Sequence, residues 1–216
     1  TAYEIVSRDW SSDVCSSDLT RYPDRGLEYI TVNVSPRQLM QPNFPRLVEQ
    51  AVRESGLSPE EVRLEITETA LMDAPQNVAA LLGELRRFGA KVYLDDFGTG
   101  YSSLSHLHRL PVDALKIDRS FVMSLLLSDR PAIVESILAL ANTLNTGVVA
   151  EGVESHSQAI ELLRLGCRYA QGFYFSRPLP ASAVEALLRA DCPLGDPHPP
   201  LAVSMPDRLQ PVTARR

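Results

Sequence analysis

The stretch Lys91-Val92-Tyr93-Leu94-Asp95-Asp96-Phe97-Gly98 is an apolar run that ends abruptly on two adjacent carboxylates. Its first part, Lys91–Leu94, predicts a buried β-strand, and the glycines that follow predict a tight turn. A segment of helical period precedes it, with apolar residues at i, i+3, i+4 and i+7 over Val78–Leu85, and a second apolar run follows at Ala114–Ile117. The unit is therefore a helix, a strand that ends on acids, and another strand.

The same alternation of strand and helix runs through the body of the chain. Strands are predicted at Tyr29–Val34, Val62–Ile66, Lys91–Leu94, Ala114–Ile117, Gly147–Ala150 and Tyr169–Phe175. Helical periods begin at Phe44, Val78, Ile133, Ala159 and Val184. Strands that alternate with helices pair in parallel, and strands this apolar are buried on both faces. The fold class is α/β, as either a doubly wound sheet or a TIM-type (β/α)8 barrel.

Polar residues stand at the carboxyl end of all six predicted strands. They are Asn33, Glu65 with Glu68, Asp95 with Asp96, Lys116 with Asp118, Glu151 with Glu154, and Gln171. A doubly wound sheet concentrates such groups at one switch point, whereas a barrel gathers every strand end around one mouth. The distribution favours the barrel. Six strands cannot close eight, so the barrel is expected to be incomplete, with about six of eight βα units.

Four of these residues, Glu65, Asp95, Asp96 and Glu151, would lie in one mouth with the single cation of Lys116. Four ionised carboxylates repel one another strongly unless cations are bound. Oxygen ligands without histidine suit hard cations such as Mg²⁺ or Mn²⁺. Two such ions and an activated water form a site for attack on a phosphodiester.

These segments carry a resemblance to a known family. The chain resembles the EAL-domain phosphodiesterases, barrels that hydrolyse cyclic di-GMP, from about Tyr29 to Leu188. The resemblance rests on six motifs in one order: Val32-Asn33-Val34-Ser35 with Gln38, Glu65-Ile66-Thr67-Glu68, Asp95–Ser102, Lys116-Ile117-Asp118, Glu151-Gly152-Val153-Glu154, and Gln171-Gly172-Phe173 followed by Pro178.

The resemblance implies roles for the site residues. Asn33, Glu65 and Asp95 match metal ligands, and Asp96 matches a ligand of a second metal. Lys116 matches the lysine that holds and polarises the attacking water, and Glu151 matches the general base or a metal partner. We therefore predict Glu151, Lys116 and Asp96 as catalytic and Asn33, Glu65, Asp95, Asp96 and Glu151 as metal ligands. The predicted substrate-binding or loop-supporting residues are Glu68, Asp118, Glu154 and Gln171.

The implied function is metal-dependent hydrolysis of cyclic di-GMP to linear pGpG in bacterial second-messenger signalling. Mg²⁺ or Mn²⁺ is the expected cofactor, in a two-metal site in the complete domain. The expected partner is cyclic di-GMP. The resemblance is also compatible with a homodimer and with a sensor or GGDEF-type domain upstream in the full-length protein. Two alternatives remain: a non-catalytic cyclic di-GMP receptor, and a different phosphodiesterase barrel, such as one for glycerophosphodiesters, which typically uses histidine.

The sequence departs from the family pattern upstream of Asn33. The Glu-Ala-Leu motif, which supplies a further metal ligand from an earlier strand, is absent there. Together with the strand deficit, this absence favours an N-terminally truncated domain with impaired metal binding over a degenerate one.

The two ends differ from the body. Residues 11–19 repeat Ser-Ser-Asp without helical or strand period and resemble a translated adapter, although a polar linker would read similarly, so residues 1–20 are left out of the fold prediction. Residues 21–190 are assigned to the barrel. Residues 191–216 hold six of the 16 prolines and predict a disordered tail.

Composition excludes several classes of protein. A net charge of −6 argues against general binding of DNA or RNA, which relies on Lys and Arg to neutralise phosphates. No apolar run reaches the length of a membrane span, and three scattered cysteines do not form a disulfide framework. A cytoplasmic location is expected, with a membrane anchor in a longer protein left open.

Overall fold

The computed structural model describes residues 5–6, 28–72, 78–100, 107–127, 131–180, 182–184 and 186. Most of the segment 1–27 and the whole of the tail 191–216 lie outside these residues, so the proposed domain limits stay predictions. The described strands are β1 (Ile5–Val6), β2 (Ile30–Asn33), β3 (Val62–Thr67), β4 (Lys91–Phe97), β5 (Ala114–Ile117), β6 (Gly147–Ala150) and β7 (Tyr169–Ala170).

Helices fill the connections between the strands. They are α1 (Pro36–Leu39), α2 (Phe44–Ser55), α3 (Glu68–Met72), α4 (Val78–Phe88), α5 (Arg119–Met123), α6 (Pro131–Leu144) and α7 (His156–Arg164), with a 3₁₀ turn at Pro59–Glu61. Residues 182–184 and 186 are also helical. None of the described helices combines the length and the apolar character that crossing a membrane requires.

The seven strands form one parallel sheet in the order β1-β2-β3-β4-β5-β6-β7. A doubly wound sheet would reverse its strand order at a switch point, whereas sequential order is that of a barrel. Within the described residues β1 and β7 are the two edges, so the sheet is a barrel that is not closed. The prediction of an incomplete TIM-type barrel is confirmed, and the six predicted strands are all present.

Alternation along the strands separates the two faces of the sheet. Leu64 and Ile66 of β3, and Val92 and Leu94 of β4, are at most 2% exposed and pack in one core with the apolar faces of the helices. Since successive side chains of a strand point to opposite faces, Glu65 points away from this outer layer. The apolar layer between strands and helices holds the barrel wall together, and the polar residues face its interior and mouth.

Local signals explain where the elements begin and end. Gly56, Gly89 and Gly166 have positive φ angles of 74°, 113° and 92° directly after helices, as the sequence predicts for left-handed caps. Ser155 and Gln158 form the predicted capping box of α7. The strand predicted at Tyr169–Phe175 is shorter in the structure, because residues from Gly172 onwards form turns.

Candidate functional site

The candidate site lies where four neighbouring strands end. Glu65 and Asp95 belong to β3 and β4, Lys116 belongs to β5, and Glu151 follows β6 directly. Their backbones are tied together, since the Glu151 amide donates to the Ile117 carbonyl at 3.0 Å. Parallel pairing therefore brings side chains from separate segments to one edge of the sheet, as predicted.

Lys116 is the centre of this cluster. Its Nζ lies 2.5 Å from Oε1 of Glu65, 2.5 Å from Oε1 of Glu151 and 3.3 Å from Oδ1 of Asp95. The Lys116 side chain is only 2% exposed and that of Glu65 only 1%. Burial of an ammonium is tolerated when carboxylates and hydrogen bonds replace its water. One lysine here faces three carboxylates, which leaves the cluster with excess negative charge when they are ionised.

Two carboxyl groups show the effect of this crowding. Burial raises the pKa of Glu151 to about 8, against an opposing attraction to Lys116 and with a further increase from Asp95. Burial, followed by repulsion from Asp95 and Asp118, raises the pKa of Asp96. Both shifts favour the neutral acids, so a cation bound beside these groups would restore their charge.

Three of the acids are placed to share a cation. One carboxylate oxygen each from Asp95, Asp96 and Glu151 lies within 4.8 Å of the others. Asp96 has a left-handed backbone with φ of 54°, an uncommon conformation for a residue other than glycine. Such strain is often retained at functional sites. The donors are all oxygens, the set that Mg²⁺ and Mn²⁺ prefer.

Glu68 supports the turn that follows the two aspartates. It is 1% exposed, and its Oε2 accepts a hydrogen bond of 2.9 Å from the Gly98 amide. A Cβ atom on Gly100 would lie 2.6 Å from Oε1 of Glu68, so glycine is needed for the turn to come this close. The carboxylate thus contacts the turn at Gly98 and lies close to Gly100, while the loop-supporting role of Glu68 stays a prediction.

Gln171 reaches the cluster from the end of β7. Its Nε2 donates to Oε1 of Glu151 at 2.8 Å, while its Oε1 is buried without a hydrogen-bond partner among the described residues. The carboxylate of Glu151 therefore contacts both Lys116 and Gln171. The buried amide oxygen is a free acceptor that a bound molecule could use.

The other predicted residues lie at the margin. Asn33 pairs in register with Glu65 and is exposed. Asp118 caps α5, accepting from the Ser120 amide at 3.0 Å. Glu154 lies 2.6 Å from the guanidinium of Arg119. The roles predicted for these three residues stay predictions.

Two residues with contacts at the site are absent from the predicted set. Arg119 pairs with Glu154 across 35 positions of sequence, and buried Gln158 binds the backbone of the segment that carries Glu151. The capping-box spacing identifies Gln158 only as a helix residue, and no sequence signal identifies the partner of Arg119.

Comparison with protein-family models matches residues 11–178 to the EAL domain. Among curated proteins, the chain is 44% identical over 162 residues to the cyclic di-GMP phosphodiesterase NbdA of Pseudomonas aeruginosa. That match covers 74% of this chain and 21% of NbdA, so the chain spans about a fifth of the relative's length.

Solved structures give the same result. The MucR phosphodiesterase of Pseudomonas aeruginosa in complex with cyclic di-GMP has a TM-score of 0.73 and 40% identity, covering 80% of this chain and 70% of that chain. A manganese and cyclic di-GMP complex of Klebsiella pneumoniae BlrP1 has a TM-score of 0.67 and 32% identity, covering 76% and 42%. The sequence and the barrel thus lead to one conclusion: this chain belongs to the EAL domain family.

Proposed function

We propose that this domain hydrolyses a phosphodiester bond of cyclic di-GMP and releases linear pGpG. The observation that carries the proposal is the buried Lys116, held by Glu65, Asp95 and Glu151 at the strand ends of an EAL-family barrel. The names of NbdA and of the MucR phosphodiesterase support the choice of substrate.

We propose Mg²⁺ or Mn²⁺ as the cofactor. The cluster of Asp95, Asp96 and Glu151 fits such an ion, because it offers converging carboxylate oxygens whose mutual repulsion a divalent charge would relieve. Glu65 and Asn33 are assigned as additional ligands, and Asp96 as the ligand that serves a second ion. When bound, the metal stabilises negative charge on the phosphoryl oxygens. Support for divalent ions comes from the manganese and calcium complexes of BlrP1.

The chain's own residues then orient water and accept its proton. Lys116 donates hydrogen bonds and orients the attacking water, while Glu151 receives a proton as the water oxygen bonds to phosphorus. The bond from phosphorus to the ribose 3′ oxygen breaks, and that oxygen takes up a proton from solvent, to which Glu151 then gives up the proton it received. Gln171 fixes the orientation of Glu151, and its unpartnered oxygen is available to substrate. We assign Glu68 to support of the Gly98 turn and Asp118 to capping of α5.

The wider setting of the domain is also proposed. We assign the body of the barrel to residues 21–190, to which β1 adds an edge strand. We place this domain in the cytoplasm of a bacterium within a larger signalling protein. A sensor or GGDEF-type domain upstream and a homodimer are the expected associations, and the relative MucR is named as a bifunctional diguanylate cyclase and phosphodiesterase. DNA and RNA are not expected partners, because the chain carries a net charge of −6.

The test is hydrolysis of cyclic di-GMP by a chain in which the upstream strands of the barrel are restored, with Mn²⁺ or Mg²⁺, followed by chromatography of the products. We expect pGpG from the wild type, no product in EDTA, and no product from Glu65→Ala or Asp95→Ala. The matched control is Glu54→Ala, which removes an exposed acid of α2 whose hydrogen bond is to Gln50 of the same helix. Absence of turnover with either metal would refute hydrolysis, and nucleotide binding without turnover would identify a receptor instead.

A further inference from the structure

The segment that carries Glu151, residues 151–155, has no helical or strand structure of its own. We call it the Glu151 loop. It is joined to its neighbours through backbone hydrogen bonds: the Val153 amide donates to the Gln171 carbonyl at 3.0 Å, and the Tyr174 amide donates to the Val153 carbonyl at 2.9 Å. These bonds fix the loop on the side of β7. On the side of β5, the Glu151 amide donates to the Ile117 carbonyl at 3.0 Å, and residues 152–154 are held there by side chains.

Arg119 anchors that other side from the start of α5. Its guanidinium lies 2.6 Å from Oε1 of Glu154, and its methylene groups lie directly against Gly152. A Cβ atom on Gly152 would be 2.2 Å from Cγ of Arg119, and the φ of 66° at Gly152 also favours glycine. The side chain of Arg119 thus spans the loop from Gly152 to Glu154.

Gln158 anchors the end of the loop from α7. Its side chain is buried, with only 8% of the residue exposed. Its Oε1 accepts hydrogen bonds from the amides of Glu154 at 2.8 Å and Ser155 at 3.0 Å, and its Nε2 lies 3.4 Å from the Val122 carbonyl. One buried amide therefore links the Glu151 loop to α5, the helix that begins with Arg119.

We infer that Arg119 and Gln158 are positioning residues that hold Glu151 against Lys116. Neither touches the reacting atoms; they act by fixing the loop from which Glu151 extends. Placement matters at such a site, because a shift of about 1 Å in a catalytic group can reduce the rate about a hundredfold. The inference rests on the proposed phosphodiesterase activity and adds two residues to its machinery. It also assigns a role to Glu154, as the ion-pair partner that holds Arg119 beside the Glu151 loop.

The experiment compares Arg119→Gln and Arg119→Lys in the full chain. Glutamine removes the charge and keeps part of the stem, whereas lysine keeps both stem and charge. We expect kcat to fall about tenfold to a hundredfold in Arg119→Gln, with KM nearly unchanged and partial recovery in Arg119→Lys. Gln158→Glu keeps an acceptor for the Glu154 and Ser155 amides and is expected to be milder than Gln158→Leu.

Hydrogen exchange supplies a readout that does not need activity. We expect the amides of Val153, Glu154 and Ser155 to exchange faster in Arg119→Gln, while the rest of the sheet keeps its protection. Arg164→Gln is the matched control, because Arg164 forms an exposed pair with Glu161 at 2.7 Å on the outer part of α7. It should change neither kcat nor exchange of the Glu151 loop.

The outcomes separate the two proposals. If the wild type has no turnover, hydrolysis fails, and faster exchange confined to the Glu151 loop still supports the anchoring. Unchanged kcat or unchanged loop exchange in Arg119→Gln would overturn the inference. It would equally be overturned by faster exchange throughout the sheet, since that result would mean a general loss of stability.

Discussion

Replacing Lys116 with methionine removes the one ammonium at the centre of the acidic cluster while keeping a side chain of similar length. In the wild type this ammonium is 2% exposed and contacts Glu65 and Glu151 at 2.5 Å each. Methionine leaves these carboxylates facing one another across an apolar group. The cluster then keeps its carboxylates without the Lys116 ammonium beside them, and Glu151 retains its hydrogen bond from Gln171.

The magnitude follows from burial. Removing one partner of a buried ion pair costs about 3–5 kcal/mol, because the remaining charge keeps its desolvation penalty. For a domain of 150–250 residues, this loss corresponds to a fall in melting temperature of about 6–20 °C. The loss should be larger at pH 8 than at pH 5. Burial raises the pKa of Glu151 to about 8, so its carboxyl is neutral at pH 5 and adds little to the uncompensated negative charge there.

The assay is urea unfolding in EDTA at pH 5 and pH 8, followed by circular dichroism. Lys91→Met is the matched control, since Lys91 is 44% exposed and lies 3.8 Å from Asp113. An exposed pair of this kind contributes at most about 1 kcal/mol. If Lys116→Met lowers the free energy of unfolding at pH 8 no more than Lys91→Met does, the buried contacts of Lys116 do not stabilise the fold.

Three further predictions concern the acids and the turn beside them. Burial raises the pKa of Glu151 to about 8 from an ordinary value of 4.5, so its contribution to stability in EDTA is complete below pH 4.5 and is lost as pH rises through 8. Glu151→Gln should therefore reduce the fall in the free energy of unfolding between pH 4.5 and pH 8. An unchanged fall would contradict the raised pKa. Gly100→Ala should reduce turnover strongly, since the added Cβ would lie 2.6 Å from Oε1 of Glu68, and full activity in this variant would refute the role of the contact. Glu68→Gln can still accept a hydrogen bond from the Gly98 amide, so it should reduce turnover less than Glu68→Ala does. Mn²⁺ at a hundred times its Kd should stabilise the wild type by about 2.7 kcal/mol in thermal unfolding, and an equal gain in Asp95→Asn would show that the ion binds elsewhere.

The sequence was sufficient to predict six of the seven described strands, because each of these six is an apolar run bounded by glycines or helical periods. Ala114–Ile117 and Gly147–Ala150 have the predicted bounds. The shorter form of β7 was not predictable in the same way. Gly172 lies against the backbone of Val153, where an added Cβ would be 2.2 Å from the carbonyl oxygen, and this packing ends the strand although the following residues are aromatic.

β1 was missed for a different reason. Ile5–Val6 pairs with Ile30 and Thr31 in the structure, but two residues carry no periodicity, and they lie in the segment left out of the fold prediction. A strand this short is defined by its neighbour in the sheet. Sequence patterns detect longer strands because several alternating positions must agree before a strand is distinguished from a loop.

The candidate site shows which contacts a sequence can indicate. Parallel register brings the ends of the strands to one edge of the sheet, so the sequence can indicate that Glu65, Lys116 and Glu151 lie near one another. The contact between Arg119 and Glu154 does not follow from this register: it depends on the course of two loops and on a glycine at position 152 that admits the arginine stem. A motif can therefore reveal the groups that perform chemistry, while the residues that hold those groups in place become visible only when separate loops are seen packed together. For an active site built on strand ends, the supporting contacts between loops are where the structure adds most to the sequence.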